Sequence, residues 1–501
     1  MWDKTNAETG IQKAVSWEAE FSTDDGTTWS STKPEWLTAF TANGDGSLLA
    51  EPCSISVKQQ IINSNPHIRA LQEAPAKGTV EHPYNLSNRN GSTPVENTAN
   101  CYVVGASGTY SFPLVYGNAI KNGGNNEAAY TSTKTGKGVL KRFVNHQGEI
   151  TSPYINDNGC EAKSAELVWQ DALSLITDIR LVGEGSSAYV SFNVEKETIQ
   201  QGNAVIAVKD ESGQILWSWH IWVTDEDINA VQEITNHREK KYKLMSVDLG
   251  WCNSGDKIYN ARKVKVKFSQ KGSNKTKMIT ISQEKHEEAQ KKGNAPYYQW
   301  GRKDPFLPSR GTFSMFNKIW YNAEGKESQA NPKLTVFPTG KDCITYGIQH
   351  PDEMNGRKNM HDYNNLWNMN CLTNSVPKDI KFTKTIYDPS PVGFHLPNKE
   401  TFTGFTTTGE ATSNPNQIKG SWIGSKEGWS IQGIFIPFIR RRYFGKVNGG
   451  LYETVYEARW VSTSVNADSG GSVTIVFNKQ TNPLHSCLKA GGIPVRAIQE
   501  E

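Results

Sequence analysis

The nine residues Ile215-Leu216-Trp217-Ser218-Trp219-His220-Ile221-Trp222-Val223 constrain the fold more than any other stretch. β-Branched and aromatic side chains crowd a helix but pack well on a pleated surface, so the run reads as a strand. Ala204-Val205-Ile206-Ala207-Val208 precedes it, and the polar Lys209–Gln214 connection, with Gly213, marks the pair as a hairpin. In a strand Trp217, Trp219 and Ile221 share one face, and Ser218, His220 and Trp222 the other. Aromatics on one hairpin face are core residues, burying about 150–250 Å² each. The competing reading, a cofactor or sugar platform, lacks a second histidine at ligand spacing.

Other alternating runs extend the β pattern. Val15–Phe21 is followed by the turn Asp24-Asp25-Gly26, and Ser54–Val57 alternates again. Cys101–Val104 and Thr109–Tyr116 flank a Gly105–Gly108 turn, and Ala188–Val194 alternates. Val264–Phe268 pairs with Met278–Ile281, with Val264, Val266 and Phe268 facing a core and the intervening lysines facing water. A chain of 501 residues exceeds what one core supports. Composition shifts divide it into a small β-sandwich at 1–95, a larger one at 96–290, and a third domain at 291–501. The fold class expected is mainly β: two immunoglobulin-like sandwiches followed by an α+β domain.

Charge excludes some functions. The balance of 54 basic and 51 acidic residues, a formal +3, excludes a strongly basic nucleic-acid binder. Mean hydropathy is −0.59 and no apolar run approaches the ~20 residues that cross a bilayer. The seven cysteines are widely spaced with no CxxC pair, which points to buried thiols rather than a zinc or disulfide framework. Met1-Trp2-Asp3-Lys4 begins no secretion signal, so the expectation is a cytoplasmic protein or a mature, trimmed chain.

The last third carries a set of motifs. In order they are Tyr298-Gln299-Trp300-Gly301-Arg302-Lys303-Asp304-Pro305-Phe306, Asp388-Pro389-Ser390-Pro391-Val392-Gly393-Phe394-His395-Leu396-Pro397, Trp460-Val461-Ser462-Thr463-Ser464, and Pro494-Val495-Arg496-Ala497-Ile498. Across about 290–499 this order resembles the Fibrobacter succinogenes major paralogous domain. Bacteroidetes carry that domain at the ends of lipoproteins and fimbrial, adhesin-like surface proteins. Residues 1–95 resemble BACON-type and other immunoglobulin-like modules of Bacteroidetes surface proteins. The resemblance implies a C-type-lectin-like or formylglycine-generating-enzyme-like α+β fold at 291–501, of the cell-adhesion class. It also implies display on the extracellular face of the outer membrane, with the membrane reached only through a lipid anchor upstream of this sequence. In physical terms, Asn398 is placed to cap a short helix that packs Phe402 and Phe405 inward, Ile493–Arg496 reads as a closing strand, and Arg496 as a buried tie.

No catalytic signature is present: no GxSxG, HExxH, P-loop or GxGxxG. His361-Asp362 reads as an exposed loop rather than a base with its orienter. No cofactor is expected; calcium needs six to eight oxygen ligands and the sequence offers no such motif. Trp300, Trp422 and Trp429 in Gly-rich surroundings, with Arg440, Arg441, Arg442 and Tyr443, form the candidate ligand site, where aromatics stack on sugars and arginines meet anions. The competing reading makes the tryptophans core and the arginines a guarded strand edge. The function expected is non-enzymatic adhesion: recognition of a glycan, a host surface protein or a neighbouring pilin subunit, with no catalytic residue. A pilus subunit assembling by strand exchange and a glycan-active hydrolase are the alternatives.

Overall fold

The computed structural model describes residues 3–5, 8–49, 55–57, 61–63, 65–253, 256–259, 261–289, 293–306, 319–358, 360–374, 380–424, 428–439, 441–444, 450–452, 456–466, 468–476 and 480–501. Strands dominate, with two α-helices, Pro66–Glu73 and Lys341–Gln349, among the described residues. None of the described helices is long and apolar enough to cross a membrane.

Two compact units result, one of residues 1–65 with 255–290, the other of 66–254 with 291–501. Each unit is thus assembled from two stretches separated in sequence. In the first unit, Arg262–Gln270 lies between Trp17–Ser22 and Thr276–Gln283, and Trp17–Ser22 also pairs with Asn43–Gly44. Val264 and Val266 are fully buried with Phe21 and Leu37, while Lys267 reaches out to Glu20 at 2.6 Å. The strand that completes this core thus comes from more than two hundred residues downstream.

The second unit contains a six-stranded sheet in the order Glu327–Ser328, Trp320–Tyr321, Ser164–Gln170, Gly202–Lys209, Ile215–Val223, Cys101–Val104. Gly202–Lys209 and Ile215–Val223 form the expected antiparallel hairpin. Against it lies a four-stranded sheet, Thr177–Val182, Tyr189–Val194, Gly108–Pro113 and Tyr84–Asn85, with Phe112 meeting Trp219 at 4.8 Å and Tyr102 at 5.1 Å between ring centres. Gly105–Ser107 therefore carries the chain from one sheet to the other. Ile215–Val223 is buried on both faces, because the first motif of the C-terminal third packs on its second face. Ser218 donates to Asp304 at 2.8 Å, and the Tyr298 hydroxyl reaches His220 at 3.2 Å.

The remaining motifs join the same core. The Trp460 indole donates to the Tyr298 carbonyl at 2.7 Å, and the Trp300 indole to that of Val461 at 3.2 Å. Tyr456–Ser464, Ser469–Val476 and Gln480–Leu488 form a three-stranded sheet. Gln232–Thr235, Lys241–Leu244, Ile498–Gln499 and Phe394–His395 form another, with four strands. Segments 96–254 and 291–501 thus share a sheet and a core rather than closing separately. Two expectations need correction. Asn398 begins a turn rather than capping a helix, and the nearby 3₁₀ turn is Thr403–Phe405, although Phe402 and Phe405 are buried as expected. The closing strand is Ile498–Gln499, while Ile493 makes an isolated bridge to Tyr298.

Candidate functional site

A hollow of about 880 Å³ opens in the second unit beside the sheet that contains Ile498–Gln499. Its lining comes from five separated stretches, each placed by local structure. Lys241–Leu244 alternates exposed and buried, so Tyr242 and Leu244 enter the core while Lys241 and Lys243 stand at the rim. Lys121 lies on the short hairpin Ile120–Lys121/Gly124–Asn125. Residues 380–384 form a wall, held where the Asn118 amide donates to the Lys384 carbonyl at 2.7 Å and that of Asn370 to Lys381 at 2.9 Å. His395, Asn398 and residues 498–501 complete it.

Lysine dominates the electrostatics. Six ammoniums (Lys121, Lys240, Lys241, Lys243, Lys381 and Lys384) face three carboxylates, Glu233, Glu500 and Glu501. The cleft therefore concentrates an excess as large as that of the whole chain. Lys121 pairs with Glu500 at 2.5 Å, Lys241 with Glu233 at 2.8 Å and Lys240 with Glu501 at 3.3 Å. Among the described residues Lys243 and Lys381 have no carboxylate partner. Lys384 is buried and donates to the carbonyls of Ser390 and Pro391 at 3.0 and 2.8 Å. Burial lowers its pKa, and Asp388 opposes the shift. Burial would raise the Glu500 carboxyl, but Lys384 and Lys121 overcome it and hold the group below its usual range.

His395 is neutral in this setting. Its ring stacks on Phe382 at 3.7 Å, its Nδ1–H donates to the Leu396 carbonyl at 2.6 Å, and burial pushes its pKa down to about 4. The Asn398 side-chain oxygen is buried at the cleft wall and has no hydrogen-bond partner among the described residues. Exposed ammoniums, amides and one stacked ring suit the binding of an anion with polar substituents. Among the described residues no group of three His, Cys, Asp or Glu side chains is placed to hold a metal ion.

The sequence-derived site residues lie elsewhere and do not converge. Trp300 is fully buried, tilted against Trp367 at 5.3 Å with Lys489 over its ring at 4.8 Å. Trp422 and Trp429 are cross-strand partners 6.4 Å apart; Trp429 is buried and Trp422 half-buried. Arg442 is buried with its guanidinium over Tyr297, and half-buried Arg441 stacks on Tyr443 at 5.7 Å. Arg440 lies outside the described residues. His361 is buried beside Trp300 rather than on an exposed loop. The cleft lysines escaped sequence reasoning because their alternation in Lys241-Tyr242-Lys243-Leu244 is the ordinary sign of a solvated strand face. No protein-family model, curated protein or solved structure matches the chain.

Proposed function

We propose that the chain is a non-enzymatic adhesion protein displayed at the cell surface, and that its cleft holds an extended acidic glycan. The observation that carries the reading is the lysine-rich hollow of about 880 Å³, with two ammoniums at its rim, Lys243 and Lys381, that have no carboxylate partner among the described residues. A lined groove of this size accommodates several sugar units, and ammoniums recognise carboxylate or sulfate as point charges. In this reading the sheets serve as the rigid mount and the C-terminal third supplies most of the walls.

Binding to immobilised polygalacturonate and dextran sulfate, with neutral dextran as reference, tests it. Both acidic polymers should be retained at 50 mM salt and released as salt rises, because exposed charges are screened beyond about 10 Å at 0.1 M. Lys243→Glu with Lys381→Glu should weaken binding about tenfold or more. Equal retention on neutral dextran, or none on either acidic polymer, would reject the reading.

A second reading is a structural subunit assembling strand to strand. Thr276–Gln283 is an edge among the described strands and exposes Met278 and Ile279. Concentration-dependent fibres lost on Ile279→Lys would favour it over the glycan reading.

A further inference from the structure

We propose that Glu500 and Glu501 form a built-in anionic competitor that sets the affinity of the cleft, an inference resting on the acidic-ligand reading above. Ile498–Gln499 is held on both sides, Ile498 opposite Leu244 and His395, and Gln499 opposite Phe394. The Glu500 N–H then donates to the Gly393 carbonyl at 2.8 Å. This anchoring delivers the next two side chains into the hollow, where they meet lysines from two different stretches: Glu500 takes Lys121, and Glu501 takes Lys240. Both carboxylates thus occupy ammoniums that an acidic ligand would seek.

The two differ in how firmly they are held. The Glu501 side chain is 81% exposed and its lysine partner 40%. Such a pair is held weakly, so a ligand carboxylate displaces it readily. Glu500 is only 21% exposed and lies within the field of Lys384 as well as Lys121. It stays in place and lowers the positive potential that a ligand feels. Affinity is thereby set low enough for exchange, with Glu501 as the movable member and Glu500 as the resident one.

Dissociation constants for polygalacturonate at 50 mM salt, measured on the full chain, test this. Glu500→Gln should tighten binding about five- to tenfold, as removal of one charge within contact range of the ligand predicts. Glu501→Lys, at a position exposed enough to leave folding intact, should tighten it at least threefold. Both gains should vanish at 0.5 M salt. Glu211→Gln, on the turn of the Gly202–Val223 hairpin, makes the same change in net charge as Glu500→Gln but outside the cleft and should leave affinity unchanged. Wild-type-like affinity for Glu501→Lys and Glu500→Gln, or equal tightening by Glu211→Gln, would overturn the competitor while leaving the cleft reading intact. Absence of binding by wild type and all variants would overturn both.

Discussion

Arg459 grips Asp248 with two parallel hydrogen bonds, Nε to Oδ1 at 2.9 Å and Nη2 to Oδ2 at 2.8 Å, although 211 residues separate them. Both side chains are buried. Arg496 stands beside the pair, its Nη1 3.9 Å from Asp248 Oδ1, and donates to the carbonyls of Met245, Ser246 and Phe435. One carboxylate therefore serves two guanidinium groups at the point where the end of the hairpin region meets the last strands.

Asp248→Asn tests the importance of that arrangement. The change keeps shape but removes the carboxylate charge that two buried guanidinium groups share, and breaking a buried pair costs about 3–5 kcal/mol. Denaturant unfolding followed by tryptophan fluorescence should show a loss of that size. A loss below about 1 kcal/mol would mean that the other partners of the two arginines hold them without the Asp248 charge.

Gly108 makes a second prediction. Its φ of +143° and its contact with the strand-like segment at Lys77 leave no room for a side chain: an added Cβ would lie 1.8 Å from the Lys77 carbonyl oxygen. Gly213 has φ +83° but nothing within 4 Å of the same atom. Gly213→Ala should cost about 1 kcal/mol, the left-handed backbone penalty alone. Gly108→Ala should cost several times more, because backbone must move. Equal unfolding midpoints for the two variants would contradict the close approach.

These relationships mark where local pattern ends. Alternation sufficed for the hairpins Gly202–Val223, Arg262–Gln283 and Tyr456–Val476, because each pairs neighbours in sequence. It also placed Val264 and Val266 inside and Arg496 as a buried tie. It could not show that Ile215–Val223 is covered on both faces, since the second cover, Tyr298 and Asp304, arrives some eighty residues later. Trp300 shows the same limit: its Gly-rich flanks leave a sugar-stacking loop and a core position both open, and only the fold reveals that Gly470 packs directly on the indole. The cleft draws on five stretches, and its lysines acquire meaning only when the Ile498–Gln499 strand brings Glu500 beside Lys121.

Buried histidines predict the response to acid. Burial pushes His220 down to about 3 and His395 to about 4, and lowers His361 far below its usual value. His220 is fixed as the neutral form, its Nε2–H donating to Asn203 at 2.9 Å while Nδ1 accepts from Tyr298. A histidine whose folded pKa lies below its unfolded value binds its proton more readily in the unfolded chain, so protonation favours unfolding. The stability due to neutrality is complete above about pH 6.5 and is lost as pH falls from there toward the folded values of 4 and 3. By pH 5 each of His220 and His395 should have withdrawn about 2 kcal/mol. Unfolding free energies at pH 7, 6 and 5 should therefore fall with a slope that becomes shallower by about one proton in His395→Asn. A pH-independent stability across that interval, or an unchanged slope in the variant, would show that these imidazoles are open to water.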